Sequence, residues 1–202
     1  MVATVRSSLG SSGPGGSGLT AMDAVRDLKA KALISVGVAF AMSDDQPIGQ
    51  LLLSEQLANY ELAKLTATPD GSSVEVRRGG SDHCSPLLLG RYRDAHLEDI
   101  GVDVEPGLVL SGEKLVDYYP FREKLGAAYP EAIGGEMEGC GILSTAIREQ
   151  VHWIVAKAVC DYGHDKGRRK VQRQKVAAGV SARAITHLLQ IGALNGLTQQ
   201  PI

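Results

Sequence analysis

The sequence has almost no excess of charge of either sign. Its 202 residues include 21 Lys and Arg against 23 Asp and Glu, which gives a formal net charge of −2. A near-neutral chain lacks the strong field that draws a protein to nucleic acid or to an anionic membrane. We therefore expect its partners to be small molecules or other protein chains.

Long apolar runs and paired cysteines are also missing. No apolar stretch approaches the roughly 18 residues of a membrane span, and the first residues do not follow the basic-then-apolar pattern of a signal peptide. The three cysteines, Cys84, Cys140 and Cys160, are odd in number and widely spaced, which favours reduced thiols over a disulfide framework. His83 and Cys84 have no partners at the spacing of zinc ligands. These features predict a cytoplasmic protein without a metal or other cofactor.

Aromatic residues make up only 4% of the chain. The core must therefore be built mainly from Leu, Val, Ile and Ala. Typical domain sizes of roughly 100–200 residues favour one domain that spans residues 1–202.

Short apolar runs alternate with helical patterns along the chain. The run Ala32–Ala41, rich in β-branched residues, is typical of a buried strand. The other predicted strands are Ile48–Ser54, Val74–Arg78, Gly107–Leu110, Ala132–Ile133 and His152–Cys160. The predicted helices cover residues 114–128, Met137–Gln150 and Val171–Leu189, the last with apolar positions at Val176, Val180, Ile185, Leu188 and Leu189. Strands that alternate with helices indicate an α/β layered domain.

The stretch Ser7–Gly18 is rich in Gly and Ser, a composition typical of a flexible linker. A helical pattern follows at once, with Leu19, Met22, Val25 and Leu28 at helical spacing. This pattern favours the other interpretation, in which the glycines form a tight turn between a strand and a helix.

Asp161 stands where the apolar run His152–Cys160 ends. Ligands of open α/β sheets bind at the carboxyl ends of strands, so this position is suited to chemistry. Apolar neighbours such as Val159 and Tyr162 would favour the protonated carboxyl group and allow it to act as a general acid. The alternative is that Asp161 caps the turn Cys-Asp-Tyr-Gly-His-Asp.

Glu136 and Glu138 flank Met137 directly after Gly134 and Gly135, where a helix is predicted to begin. Acidic side chains are common there because the helix dipole favours them. The two glycines also allow the backbone to come close to another group. A thioether between two carboxylates suits a sugar, which presents both hydroxyls and an apolar face.

Four motifs follow one another in the chain: a first one made of SVGVAFAM and, shortly after it, IGQLLLS, and then LSGEKLV, GGEMEGCGI and KAVCDYG. Their order and spacing resemble the purine nucleoside phosphorylase superfamily, most closely its methylthioadenosine/S-adenosylhomocysteine nucleosidase branch. The resemblance runs from about Arg6 to Leu189. It implies a three-layer α/β domain, in which helices flank a central mixed sheet, and cleavage of the N-glycosidic bond of a purine nucleoside or nucleotide.

The resemblance also implies a role for each matching residue. Asp161 would protonate the purine at N7, Glu138 would bind the ribose 2′ and 3′ hydroxyls, and Met137 would lie against the sugar. Glu136 would be a neighbour of this site without a part in it. Leu115 and Val116 would flank the purine. Gly37, Val38 and Ala39 would form a turn that faces the nucleophile or anion, and Pro14 with its glycines would lie beside the 5′ substituent. The match at Pro14 argues against a linker over Ser7–Gly18.

The sequence departs from the family pattern in three places. Family members usually begin with a further strand and crossover, which in nucleosidases carries the glutamate that activates water. Val38 stands where nucleosidases commonly have Ser or Thr, and Cys160 stands where a serine usually precedes the aspartate. We therefore expect a domain without the family's first strand and catalytic base, in which purine and ribose binding is kept and turnover is in question.

Several functional interpretations stay open on the sequence. The reaction would be hydrolysis, although the residues do not decide between water and phosphate as the nucleophile. The competing class is a non-catalytic module that binds a nucleoside or nucleotide, or assembles an oligomer, in a signalling or defence system. The resemblance implies a homodimer or higher homo-oligomer. The basic run Lys166–Lys175 predicts either a lid over substrate phosphates or a solvated loop.

Overall fold

The computed structural model describes residues 1–164, 167 and 170–197 and has the mixed α/β architecture that the sequence predicts. The strands are β1 Ala32–Ala41, β2 Leu51–Asn59, β3 Ala63–Ala67, β4 Ser73–Arg77, β5 Ser81–His83, β6 Val104–Ser111, β7 Ala132–Glu136 and β8 His152–Asp161. The helices are α1 Ser17–Leu28, α2 Pro86–Arg93, α3 Tyr119–Ala128, α4 Gly139–Glu149 and α5 Lys170–Gln190, and a 3₁₀ helix covers Leu97–Ile100.

The central sheet has the strand order β5-β2-β6-β7-β1-β8, and β2 also pairs with β8. The β1–β8 pairing is parallel and ends with Phe40 opposite Asp161. The β1–β7 pairing is antiparallel and places Phe40 opposite Gly135. The end of β1 therefore lies between the end of β8 and the Gly-Gly segment of β7, which brings together two of the predicted motifs.

The core is aliphatic, as the scarcity of aromatic residues predicts. Strand β8 is buried at every position from His152 to Asp161, because it pairs with β1 on one side and β2 on the other and is packed by α2 and α5. A second buried cluster, which includes Phe40 and Val116, lies at α3. It borders the end of β8 and so supports the candidate site.

Helices α1 and α5 pack largely through small residues, which corrects part of the apolar faces predicted for them. Val25 and Leu188 are buried as predicted, but the predicted positions Leu19, Leu28, Val176 and Leu189 are exposed. The residues buried on the two helices are Ser17, Ala21 and Val25 of α1, and Ala177, Ser181, Ala184 and Leu188 of α5. Small side chains let a helix lie close to its neighbour, and the Ser181 hydroxyl donates to the Gly37 carbonyl at 2.6 Å. The face that a helix buries depends on how closely the helix approaches its neighbour, and the spacing of apolar residues in the sequence does not report that distance.

Several predicted boundaries are shifted. Strand β2 begins three residues later than predicted and continues to Asn59, β7 extends through both glycines to Glu136, and α3 begins at Tyr119, next to Pro120. The sequence missed α2 and the exposed hairpin partner β3 altogether. The structure confirms a turn before α1 but shows no strand ahead of it, since residues 1–8 have no regular secondary structure.

None of the helices in the described residues combines the length and apolar character of a membrane span. The three cysteines are free, in agreement with the reduced thiols that the sequence predicts.

We expect Cys84 and Cys140 to be alkylated slowly in the native protein. Burial raises the pKa of each thiol to about 11, and the thiolate is the reactive species. At pH 8 the thiolate fraction is then on the order of 100-fold smaller than for an ordinary cysteine of pKa near 8.5. Iodoacetamide labelling followed by peptide mass spectrometry, with and without urea, measures this difference. Equal native and denatured rates would contradict the burial of these thiols.

Candidate active site

The candidate site lies where β1, β7 and β8 end. Asp161 is the last residue of β8 and is buried. Its Oδ1 accepts a hydrogen bond from the Gly163 amide at 2.9 Å, and its Oδ2 accepts one from the Cys160 thiol at 3.2 Å. Cys160 thus makes a hydrogen bond to the aspartate. The turn-capping contact and a location at the end of the strand are both present, so they do not exclude one another.

Glu136 ends β7 and caps helix α4. Its carboxylate accepts hydrogen bonds from the Glu138 and Gly139 amides at 2.9 Å, two of the amides that a helix leaves unpaired at its start. Its side chain is fully buried. This arrangement is the structural role that acidic residues at a helix start commonly have, and it agrees with the prediction that Glu136 is a neighbour of the site.

Glu138 is held differently. It occupies the N-cap position of α4, but its side chain makes no capping bond. Instead, Oε1 accepts the Gly10 amide at 3.0 Å, and Oε2 pairs with the Lys157 ammonium group. The side chain keeps 19% of its surface exposed, so Glu138 can still reach a ligand.

Lys157 is the site residue that the sequence analysis missed. It lies in the middle of β8 with a side chain only 4% exposed, and its Nζ is 2.7 Å from Glu136 Oε2 while also bonding to Glu138. Burial alone would lower the pKa of Lys157, but the charges of Glu136 and Glu138 outweigh it and raise the pKa above its ordinary value. The sequence does contain a signal for this residue, because a lysine inside an apolar strand needs buried partners.

The Gly-rich turn before α1 is attached to the site by two carboxylates. Glu138 binds the Gly10 amide, and Glu113 accepts bonds from the Ser11 amide and hydroxyl and from the Ser12 hydroxyl. The Ser11 hydroxyl holds the pKa of Glu113 below its ordinary value. Gly10 needs its glycine, since its φ is +86° and a side chain would meet the Glu113 carboxylate.

The predicted purine-flanking residues lie in different environments. Val116 is buried, whereas Leu115 is more than half exposed. A Cβ built on Gly163 would lie 3.3 Å from Val116 and 3.4 Å from Phe40, so Val116 borders the segment that follows Asp161. Met137 is half-buried between the two glutamates.

Gly37, Val38 and Ala39 lie within strand β1, which corrects the prediction that they form a turn. Pairing places Gly37 opposite Lys157, and a Cβ at Gly37 would come 3.5 Å from the lysine Cε. This part of β1 therefore covers the lysine, because a paired strand continues through it.

The close approach predicted for Gly134 and Gly135 is made by the protein itself. A Cβ on Gly135 would lie 2.3 Å from the ring of Phe40, and one on Gly134 would lie 2.3 Å from Leu52. These glycines make room for core side chains of β1 and β2. They are therefore no evidence for a ligand.

Pro14 lies on the outer side of the turn. With Ser11, Ser12, Leu19 and Met22 it lines a surface cavity of about 710 Å³, which α4 completes through Ser144, Thr145 and Arg148. Ser11, which lines this cavity, directly follows Gly10, whose amide donates to Glu138.

Within the described ranges, no cluster of His, Cys, Asp and Glu could hold a metal ion. His83 lies exposed on β5, and His164 contacts Asp44. Most of the first half of the basic run Lys166–Lys175 lies outside the described residues, so the predicted lid is not tested.

The fold and these carboxylates define an α/β protein with a candidate small-molecule site at the ends of three strands. The family model described as the phosphorylase superfamily matches residues 3–190. The chain therefore belongs to the phosphorylase superfamily, as the motifs predict.

Three known proteins illustrate the relationship. The 5′-methylthioadenosine/S-adenosylhomocysteine nucleosidase of Maridesulfovibrio salexigens is 26% identical over 160 residues, which are 78% of this chain and 69% of that protein. The death domain-containing ATP nucleosidase of Amphimedon queenslandica is 27% identical in an alignment of 184 positions, which covers 80% of this chain but only 34% of that protein. A crystal structure of the Neisseria meningitidis 5′-methylthioadenosine/S-adenosylhomocysteine nucleosidase with methylthio-immucillin-A superposes with a TM-score of 0.77 at 20% identity, over 92% of this chain and 79% of the other. The superposition supports the fold.

Proposed function

We propose that the chain binds a purine nucleoside or nucleotide and hydrolyses its N-glycosidic bond. The observation that carries this proposal is that Asp161 ends β8, while Glu138, two residues after β7, pairs with Lys157 of the same strand β8. Similarity to nucleosidases that act on methylthioadenosine and on ATP supports the substrate class.

Asp161 acts as the general acid in this proposal. As the bond between C1′ and N9 breaks, its electrons pass to the purine, and Asp161 gives its proton to N7. General acid catalysis of this kind contributes about 10²–10⁴ in rate. Water then adds to C1′ and loses a proton, which replaces through the solvent the proton that Asp161 gave to N7, so the products are the free base and the ribose with its 5′ substituent.

Glu138 binds the ribose 2′ and 3′ hydroxyls. Lys157 and the Gly10 amide hold its carboxylate in place, so little side-chain freedom is lost when the sugar binds. The anion also stabilises the positive charge that develops on the ribose in the transition state. Met137, Val116 and Leu115 supply apolar contacts, and Pro14 lies on the side of the 5′ substituent.

The test is to incubate the protein with adenosine, methylthioadenosine, AMP or ATP and to measure released base by chromatography. Parallel reactions with and without inorganic phosphate distinguish hydrolysis from phosphorolysis. If base is released only when phosphate is present, the nucleophile is phosphate and not water. No release from any of the four would remove catalysis from the proposal.

The second candidate is a nucleoside-binding module without turnover. It is favoured by Val38, whose apolar side chain stands beside Gly37 and cannot orient a water molecule. Calorimetry with adenine and adenosine distinguishes the two functions, because a module would bind at least one of them and release no base.

Glu138→Gln is expected to raise the KM for the nucleoside about 10-fold or more, and also to lower kcat, because the anion stabilises the charge of the transition state. A hydrogen bond to a charged group contributes about 1.5–3 kcal/mol, and Gln keeps the shape of Glu without its charge. Steady-state kinetics check this, with Glu98→Gln, an exposed residue of the 3₁₀ helix, as the matched control. An unchanged KM would remove Glu138 from ribose binding.

We further propose that residues 1–202 act as a single domain and form a homo-oligomer. Light scattering after size-exclusion chromatography measures the assembly, and a monomer at micromolar concentration would contradict it.

A further inference from the structure

The segment after β8 sets the direction of the Asp161 carboxyl group. Its central residue, Gly163, donates its amide to Asp161 Oδ1 at 2.9 Å, and its carbonyl accepts the Tyr118 amide at 2.8 Å. A shift of Gly163 would therefore change the hydrogen bonding of the proposed acid.

Arg122 of α3 lies against this segment. Its Nη1 donates to the Tyr162 carbonyl at 3.3 Å and pairs with Asp44, which follows β1. The guanidinium group also lies 5.0 Å from the ring of Tyr119. One side chain thus joins three parts of the chain, namely the ends of β1 and β8 and the start of α3.

A second contact holds His164, the residue that follows Gly163. His164 Nε2 lies 3.1 Å from Asp44 Oδ1, and the His164 ring meets the Tyr119 ring edge-on at 5.1 Å. We call Arg122, Asp44 and His164 the Arg122 network. The network holds the residues on both sides of Gly163.

Stability alone does not account for this arginine. Its side chain is only 5% exposed, and within the described residues its Nε has no hydrogen-bond partner. A buried charge costs desolvation energy, and replacing a buried ion pair by apolar residues is often neutral or stabilising. An arginine whose planar guanidinium group donates to a backbone carbonyl nevertheless provides directional control that an apolar side chain lacks.

We propose that Arg122 is a positioning residue, which fixes residues 162–164 and through them the Asp161 carboxyl group. This inference rests on the proposed function of Asp161 and adds a residue to it. Arg122 does not touch the substrate. Its effect on catalysis comes from geometry, where a misplacement of about 1 Å can cost up to 10²-fold in rate.

The first test compares Arg122→Met with Lys124→Met. Both remove a cation from α3, but Lys124 only pairs with Glu75 on the surface. We expect Arg122→Met to lower kcat for base release about 10-fold, with KM changed less than about 3-fold, because the contacts of Glu138 remain. Arg122→Lys should restore part of kcat, since it keeps the charge beside Asp44. Equal kcat values for Arg122→Met and Lys124→Met would overturn the proposal.

The second test does not depend on catalysis. Hydrogen exchange of the Gly163 amide, followed by NMR, is expected to be at least about 10-fold faster in Arg122→Met than in the wild type, because local opening becomes easier. Asp44→Asn, at a residue whose side chain is more than half exposed, should give a smaller increase and covers the case in which Arg122→Met does not fold. If the wild type releases no base, the proposed function fails while the exchange experiment still tests the network. Unchanged exchange in both variants would overturn the network itself.

Discussion

Asp161→Asn is expected to lower the rate of base release by about 10²–10⁴, the contribution of a positioned general acid. Asn has nearly the same shape and can still accept the Gly163 amide, but it has no carboxyl proton to give to N7. Binding should change little, because Glu138 and Val116 stay in place. Single-turnover measurement of released adenine gives the rate, and calorimetry with adenosine gives the affinity.

The matched control is Asp94→Asn, an exposed aspartate that ends α2. It makes the same chemical change away from the candidate site and should leave base release within about 2-fold, as surface substitutions usually do. Base release that survives Asp161→Asn at the control rate would remove Asp161 from the mechanism. Loss of adenosine binding together with activity would instead assign Asp161 to recognition of the base.

The elements that the sequence predicts well are those with continuous apolar patterns. Strands β1 and β8 are bounded almost as predicted, although only β8 is buried throughout, as a parallel strand with an apolar residue at nearly every position commonly is, and β1 is buried only from Ala39 to Ala41. Glu138 lies at the N-cap of α4, close to the predicted start of the helix, whereas Glu136 ends β7, because that strand continues through both glycines. The roles of these residues came from the resemblance and stay proposals.

Other features depend on contacts between distant segments, which local patterns do not contain. The resemblance implies a turn at Gly37–Ala39, but the strand predicted over Ala32–Ala41 continues through this segment, where it pairs with β8. Gly134 and Gly135 predict a close approach of the backbone to another group, and that group proves to be the side chains of Phe40 and Leu52. In both cases the deciding partner lies far away in the sequence.

The buried charged residues also depend on contacts that local sequence patterns do not contain. Arg122 and Lys157 lie 35 positions apart in the sequence, and each is buried against carboxylates from other elements. A lysine within an apolar strand signals that partners exist. The sequence does not say that those partners are Glu136 and Glu138, because that depends on how β7 and β8 lie relative to β1.

Lys157→Met is expected to be the most destabilising of the substitutions considered. It would leave the fully buried Glu136 and the largely buried Glu138 without their cation. Removing one partner of a buried ion pair costs about 3–5 kcal/mol, which for a chain of this length lowers Tm by roughly 10 °C or more. Urea and thermal unfolding followed by circular dichroism measure the loss.

The control is Arg26→Met, which breaks the surface pair between α1 and Glu149 and should cost less than about 1 kcal/mol. The Lys157→Met deficit should also shrink as the pH falls from 8 to 5. Protonation neutralises a carboxylate that is buried without a cation, and the folded state then binds more protons than the unfolded state, so stability rises as pH falls. Lys157→Met combined with Glu136→Gln and Glu138→Gln should lose this pH dependence, because no unpaired carboxylate remains. A Lys157→Met protein as stable as Arg26→Met at pH 8 would show that the carboxylates do not need the lysine charge, and the preorganised ribose site proposed for Glu138 would then lose its basis.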